Sequence, residues 1–222
     1  MCFVGMHRWS LEEKLKGDRL KKIGVDGVRE AEKYYDNTEG LEPNYVIGEF
    51  LKLGVMPGRA LELGCGAGRD TVCLIKNGWY VLAIDKEDVE ERIRGRLEEN
   101  ECKRFRFSRQ RFEDAKLEEC DLVVANFSLP FCDKSRFVDL WRKVEENICC
   151  GGYFVGNFFG DRDEWAETKR KMTFLTCEEV RRLFADEFEV VKFDEVEKDA
   201  ITGMGKMKHW HVINVIARRR GA

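Results

Sequence analysis

Residues 59–70 constrain this chain more than any other stretch. A short apolar run, Arg59-Ala-Leu-Glu-Leu63, meets glycines at 64, 66 and 68 and then the start of a helical pattern at Arg69-Asp70. Alternate glycines leave the backbone bare where a strand turns into a helix, so a ligand can lie against main-chain N–H groups with no Cβ in the way. A nucleotide-like ligand suits such a turn. The dinucleotide fingerprint G-x-G-x-x-G/A needs its third small residue at the position held by Arg69, which disfavours a pyrophosphate-binding turn. Glu62 points the same way, because a carboxylate beside the turn repels phosphate and suits a cationic ligand carrying an amino group.

Helix and strand signals alternate along the rest of the chain. Ser10-Leu-Glu-Glu13 reads as a capping box opening a first helix, a second amphipathic stretch runs from Asp26 to Tyr35, and Pro43 to Leu53 reads as the helix before strand one. Strands are expected at 59–63, 79–85, 104–108, 121–126 and 152–159. Helices are expected at 69–77, at 88–99 over a highly charged run, at 134–147, and from the capping box Thr176-Cys-Glu-Glu179 to Phe184. Glu187–Val196 and His209–Arg218 are apolar-rich strands joined by a glycine-containing connection, which predicts an antiparallel hairpin.

Glu62-Leu-Gly64-Cys-Gly66-Ala-Gly68 resembles the E/D-x-G-x-G-x-G motif of class I S-adenosylmethionine (SAM) dependent methyltransferases. The resemblance continues through Trp79-Tyr-Val-Leu-Ala-Ile-Asp85, a second apolar run ending in an acid. It implies an α/β, Rossmann-like sandwich with a seven-stranded, mostly parallel sheet in the order 3-2-1-4-5-7-6 and an antiparallel C-terminal hairpin. The chain then reads as one methyltransferase domain over 1–222, with N-terminal helices and a lid at 1–54 and the Rossmann-like core at 55–222.

The same resemblance implies SAM as cofactor, with S-adenosylhomocysteine (SAH) as product, and assigns residues to it. Glu62, Gly64, Gly66, Gly68 and Arg69 surround the turn, Asp85 and Lys86 stand where the family binds the ribose hydroxyls, and Phe112 and Glu113 match its adenine motif. A carboxylate ending strand two can accept two hydrogen bonds from a vicinal diol whatever the family. Asn126 falls where the fourth strand approaches the methionine part of the cofactor; a turn former ending a buried strand is the equal alternative. Arg69 either pairs with the methionine carboxylate or bridges to Asp70, and Phe112 is equally suited to core packing.

Ligands of open α/β sheets sit beyond the carboxyl ends of the parallel strands. That edge should gather the acceptor-side candidates Tyr35, Ser128, Asp161, Trp165 and Trp210, with Tyr34 and Tyr35 folding over as a lid. Displacement at a sulfonium methyl needs alignment and exclusion of water, and a base only when the acceptor arrives protonated. His209 and His211 are the candidates for that base, against the alternative that strand alternation buries one as a hydrogen-bonded core residue.

Thr173-Phe-Leu-Thr176 and Lys208-His-Trp-His211 are similar to segments of bacterial small-molecule methyltransferases, the group with tellurite-resistance and thiopurine-type enzymes. This implies a small, soft acceptor. An RNA methyltransferase is a rival, because Lys103–Arg111 interleaves five basic residues with two phenylalanines. Edge-strand protection explains the same charges. A non-catalytic SAM-fold binding module is the third reading, and a nicotinamide-dependent oxidoreductase is disfavoured by Arg69 and the hairpin.

A net charge of −3 and a pI near 5.8 give no general pull toward nucleic acid or anionic membrane. Nine irregularly spaced cysteines without a C-x-x-C pair read as reduced thiols of a cytoplasmic protein and against a metal site. No apolar run is long enough to span a membrane.

Overall fold

A computed structural model describes residues 30–221 of the chain. The expected capping box at Ser10–Glu13 and the first part of the Asp26–Tyr35 helix lie outside the described residues. Helix α1 covers 30–38, and α2 (Tyr45–Leu51) follows, capped by the Asn44 side chain accepting from Val46 N. The core then runs β1 (Arg59–Leu63), α3 (Arg69–Lys76), β2 (Tyr80–Asp85), α4 (Glu90–Arg94), α5 (Glu99–Cys102), β3 (Phe105–Arg109) and β4 (Cys120–Ala125). Next come α6 (Phe137–Asn147), β5 (Ile148–Gly160), α7 (Trp165–Thr168), β6 (Phe174–Leu175), α8 (Cys177–Leu183), β7 (Phe188–Ile201) and β8 (Met207–Arg219).

The sheet order is β3-β2-β1-β4-β5-β8-β7, parallel except for β8, which runs antiparallel to both β5 and β7. This is the expected topology with one addition. The two-residue β6 pairs with Phe159 and Gly160, on the length of β5 that extends past the end of β4. The last two strands therefore count as seven and eight. The order reverses between β1 and β4, so the crevice beyond their carboxyl ends is the topological switch point at which such sheets bind ligands.

Three expectations change in detail. The charged run at 88–99 forms two short helices because the first ends at its C-cap Gly95 and the chain turns extended at Glu98, where the Glu98–Glu101 capping box starts the second. Strand β5 begins at Ile148, with a register shift against β4 at Cys120/Leu122 that accommodates Gly151 at φ 79°. The hairpin strands are longer than their apolar segments because backbone pairing continues to Ile201 and Met207, where side chains are exposed.

Both sheet faces are covered. Val46, Ile47 and Phe50 of α2, Leu74 and Ile75 of α3 and Ile93 of α4 pack on one face, against Val81, Val124, Val155 and Ile216. Phe137, Leu140, Trp141 and Val144 of α6 and Val180 of α8 pack on the other, against Phe154, Phe158, Ile213 and Val215. Alternation along β8 therefore sends even-numbered residues toward the α1–α4 layer and odd-numbered ones toward α6 and α8. Each fully buried aromatic or branched side chain in these layers contributes about 1.5–3 kcal/mol. No described helix is long and apolar enough to cross a membrane.

Candidate active site

The glycine turn sits at the switch point with all three glycines in the left-handed region, φ 71° at Gly64, 55° at Gly66 and 75° at Gly68. A Cβ at Gly64 would lie 2.6 Å from the Ser128 Cβ, and one at Gly68 would run into Ile93. The close approach and the backbone angle thus both demand glycine. The turn is tied to β2 by Gly64 N and Cys65 N, which donate to the Ile84 carbonyl at 2.8 and 3.1 Å.

Asp85, at the end of β2, is buried with its carboxylate aimed across this turn. It accepts Gly66 N at 2.9 Å, Glu87 N at 3.0 Å and the Tyr35 hydroxyl at 3.2 Å. A carboxylate held by two main-chain donors and also accepting a hydroxyl is built to accept hydroxyls. Burial and then the Asp85 charge push the Tyr35 phenol above its ordinary range, so Tyr35 is a donor and not a base. Lys86 points to solvent, with its ammonium 3.8 Å from Glu87.

Two more buried acids flank the turn. Glu62 accepts the Thr71 hydroxyl at 2.5 Å, and Asp70 accepts Asn44 N at 2.7 Å and the Asn126 side-chain amide at 2.8 Å. Burial raises the pKa of both, and the charges of Asp70 and Asp85 push Glu62 further. Arg69 Nε stands 3.9 Å from Asp70, which is the bridging alternative of the sequence reading. Asn126 likewise has a structural role, linking the end of β4 to α3.

Beside the turn, Phe112 lies against Gly64, its Cε1 3.6 Å from where a Cβ would be. Glu113 departs from expectation. Its carboxyl accepts Arg111 at 2.7 Å, and Lys143 and Arg136 donate to its backbone carbonyl at 3.0 and 3.1 Å. The side chain is committed to Arg111 because burial at this position requires a charge partner. Ser128 Oγ, beneath Gly64, is buried and has no hydrogen-bond partner.

Strand β8 reaches the site as expected, but its two histidines turn away from it. His209 and His211 are odd-numbered and project to the α8 side. His211 is fully buried; its Nδ1 accepts Arg162 N at 3.1 Å, which leaves Nε2 to carry the proton toward Glu195 at 3.0 Å. His209 is half-buried between Asp199 at 2.7 Å and Glu197 at 3.1 Å. Asp161 shares that side, 3.6 Å from His211. The expected base and the Asp161 contact are corrected accordingly: both rings are engaged in a salt network with Arg162, Glu195 and Glu197.

Asp199 first, then Glu197, raises the His209 pKa above its ordinary 6.5. A raised folded pKa stabilises fully below the unfolded pKa and stops doing so as pH rises through the folded value. His209→Gln should therefore lower the melting temperature most below pH 6.5 and least in alkali. Its turnover should stay within about twofold of the parent. A larger loss of turnover would return His209 to the chemistry.

Among the described residues, one cluster has metal-ligand chemistry: Cys177, Glu195 and His211. It does not suit a cation. The His211 nitrogen facing the cluster carries the proton, the Cys177 thiol is pushed up to about 11 by burial and its bond to Glu195, and Arg162 already holds Glu195 at 2.5 Å.

The even-numbered residues of β8 face the crevice, and sequence reasoning missed the most unusual of them. The Lys208 ammonium is buried 2.5 Å from Asp163 and stands 3.6, 4.4 and 4.9 Å from the ring centres of Trp210, Trp165 and Phe159. Asp163 also accepts Trp165 N at 3.0 Å and His211 N at 3.2 Å. Phe127 completes the wall, 5.7 Å from Trp210, and Phe127 N donates to Asn157 at 2.8 Å. The available signal was parity: Lys208 and Trp210 share a face, and the histidines occupy the other.

Three of the expected groups adjoin, and of the fourth Trp165 and Trp210 lie on their side while Asp161, His209 and His211 lie on the other. Gly64 touches Ser128, Gly66 is linked through Asp85 to Tyr35, and Asp70 leads through Asn126 and Asn157 to Phe127 and Trp210. Helix α1 roofs them, held by Arg92 to Asp36 at 2.8 Å and by Asn37 to the Gly203 carbonyl at 2.9 Å.

This sheet order, with a glycine turn after β1 and an acid ending β2, is the class I SAM-dependent methyltransferase fold. Residues 30–204 match the family described as tellurite resistance protein TehB, and the chain belongs to that family. Among solved structures it is similar to TehB from Haemophilus influenzae, with 18% identity and a TM-score of 0.64 over 80% of this chain and 63% of that one. It therefore spans less than two thirds of that relative. A second neighbour is the Burkholderia thailandensis 1,6-didemethyltoxoflavin-N1-methyltransferase, solved with 1,6-didemethyltoxoflavin and SAH (18% identity, TM-score 0.61, 98% of this chain and 94% of that one). A third is the N-methyltransferase NodS from Bradyrhizobium japonicum WM9 in complex with SAH (18%, TM-score 0.57, 79% and 86%). A search of curated proteins found no match.

Proposed function

We propose that this chain is a single-domain enzyme that binds SAM in the crevice beyond β1, β2 and β4 and methylates a small-molecule acceptor, releasing SAH. One observation carries the reading: Asp85 is fixed by Gly66 N and Glu87 N and accepts a hydroxyl from Tyr35, the bond a ribose hydroxyl would make. The residues fit the cofactor in charge as well. Glu62, Asp70 and Asp85 are buried together, and a ligand bearing a sulfonium and an ammonium offsets that concentration of acid.

Gly64, Gly66 and Gly68 would give the ligand bare backbone, Asp85 the ribose contact and Phe112 an apolar flank. When bound, SAM supplies a sulfonium methyl: the acceptor heteroatom takes the methyl, the C–S pair returns to sulfur as SAH, and any displaced proton passes to solvent. The protein aligns the partners and keeps out water, with α1 as the roof. No residue is assigned as base.

An RNA acceptor is less well supported. Arg106 is paired with Glu118 at 3.2 Å, Arg111 with Glu113 at 2.7 Å, and Arg109 lies 3.7 Å from Asp88, so three of the five basic residues of the stretch have an acidic neighbour. The described cysteines are free thiols, consistent with a reducing cytoplasm. Calorimetry with SAM, SAH and NAD tests the proposal. Binding of SAM and SAH with no heat from NAD is expected; NAD binding without a response to SAM would overturn it.

A further inference from the structure

We infer that the acceptor side of this site is an aromatic platform for a neutral, planar ring. The inference rests on the methyltransferase reading above and names the acceptor class that site would take. The platform consists of Phe127, Phe131, Trp165 and Trp210. It continues from the cofactor crevice through one peptide bond, since Phe127 follows Asn126 at the end of β4.

Phe127 is held in an unusual way. Among the described residues it is the one non-glycine with positive φ, at 52°. For a bulky residue that conformation is strained and persists when surroundings hold it. Here the Asn157 side chain accepts Phe127 N at 2.8 Å, and the ring is wedged edge-on between Phe159 at 5.9 Å and Trp210 at 5.7 Å. Trp165 joins Trp210 at 5.8 Å and Phe131 at 6.3 Å. Phe131 remains 51% exposed, an uncovered large ring at the margin of the group.

The charge pattern selects among ligands. Lys208 lies beneath the rings and is neutralised by Asp163, so it offers no bond to an oxyanion. Its ammonium, 3.6 Å from the Trp210 ring centre, already draws on that ring's π density and weakens the ring's attraction for a second cation. The Trp210 indole N–H is spent on the Ala200 carbonyl at 3.1 Å. Arg162, the nearest guanidinium in sequence, is engaged with Glu195 and Glu197 on the opposite face. What remains is ring surface, which favours offset stacking or edge contacts with a flat neutral ring.

The test is calorimetry on the SAH-loaded full chain with 2-naphthol, decahydro-2-naphthol, N-methylquinolinium and selenite as probes. 2-Naphthol is expected to bind about tenfold more tightly than each of the others, and Phe131→Ala to weaken it about fivefold. SAH affinity, measured first, is the reference. Equal or tighter binding of decahydro-2-naphthol, N-methylquinolinium or selenite would overturn the inference, as would a Phe131→Ala protein that binds 2-naphthol like the parent. SAH binding with no 2-naphthol binding defeats this inference alone; failure to bind SAH defeats the methyltransferase reading beneath it.

Discussion

Lys208→Met should cost about 3–5 kcal/mol of folding stability, among the largest effects of any single substitution in this chain. The change removes one half of an ion pair whose side chains are 1% and 0% exposed. Asp163 would be left charged in the interior, with only the main-chain donors of Trp165 and His211. Burial also pulls the Lys208 pKa below its ordinary value, with Asp163 pulling the other way, so the ammonium depends on that partner. Removing a whole buried pair is far cheaper than breaking one. Lys208→Met with Asp163→Asn should therefore recover part of the loss. Urea unfolding of the parent and both variants measures this, and a single-variant loss below about 1 kcal/mol would contradict the role given to the pair.

Asp85→Ala should reduce SAH affinity about a hundredfold, because two charge-assisted hydrogen bonds to a ribose diol contribute roughly 1.5 kcal/mol or more each. Tyr35→Phe should act in the opposite direction. Its hydroxyl occupies Asp85 Oδ1 at 3.2 Å, so deleting it frees an acceptor and should tighten SAH by about threefold. Circular dichroism separates lost binding from lost structure, which matters because Asp85 also holds Gly66 N. An Asp85→Ala protein that binds SAH within about threefold of the parent would remove Asp85 from the cofactor contact.

The parts of this structure that were legible in the sequence are those in which a local pattern has one physical solution. Gly64, Gly66 and Gly68 announced a bare turn between a strand and a helix, and the run ending at Asp85 announced a strand delivering an acid to the same edge. The hairpin was legible because two apolar strands without a helix between them must run antiparallel. Asn126 and Arg69 were read as open alternatives, and the structure gives both a structural partner in Asp70.

What escaped depended on long-range partners. Asp161-Arg-Asp-Glu-Trp165 looks like one charged segment, yet Asp163 is buried on Lys208, 45 residues away, while Asp161 points to the other face. Nothing local separates the two acids. The histidines were misread for the same reason: strand alternation says that 209 and 211 share a face, and only pairing with β5 decides which face meets the ligand. Tyr35 was expected at the acceptor and instead reaches Asp85, a contact set by how α1 lies across the crevice.

Strand β8 thus carries Lys208 and Trp210 on one pleat and a salt network on the other, and insertions and deletions would have very unequal effects along it. A residue added or lost at 202–206 changes the turn and its Asn37 contact with α1 but leaves the pleat of β8 in place. Deletion of Val212, with 213–218 still paired to β5, would bring the histidines under the crevice and send Lys208 and Trp210 to the α8 side, exchanging the two chemistries. The buried Asn157–Asn214 pairing anchors the frame in which that exchange is avoided.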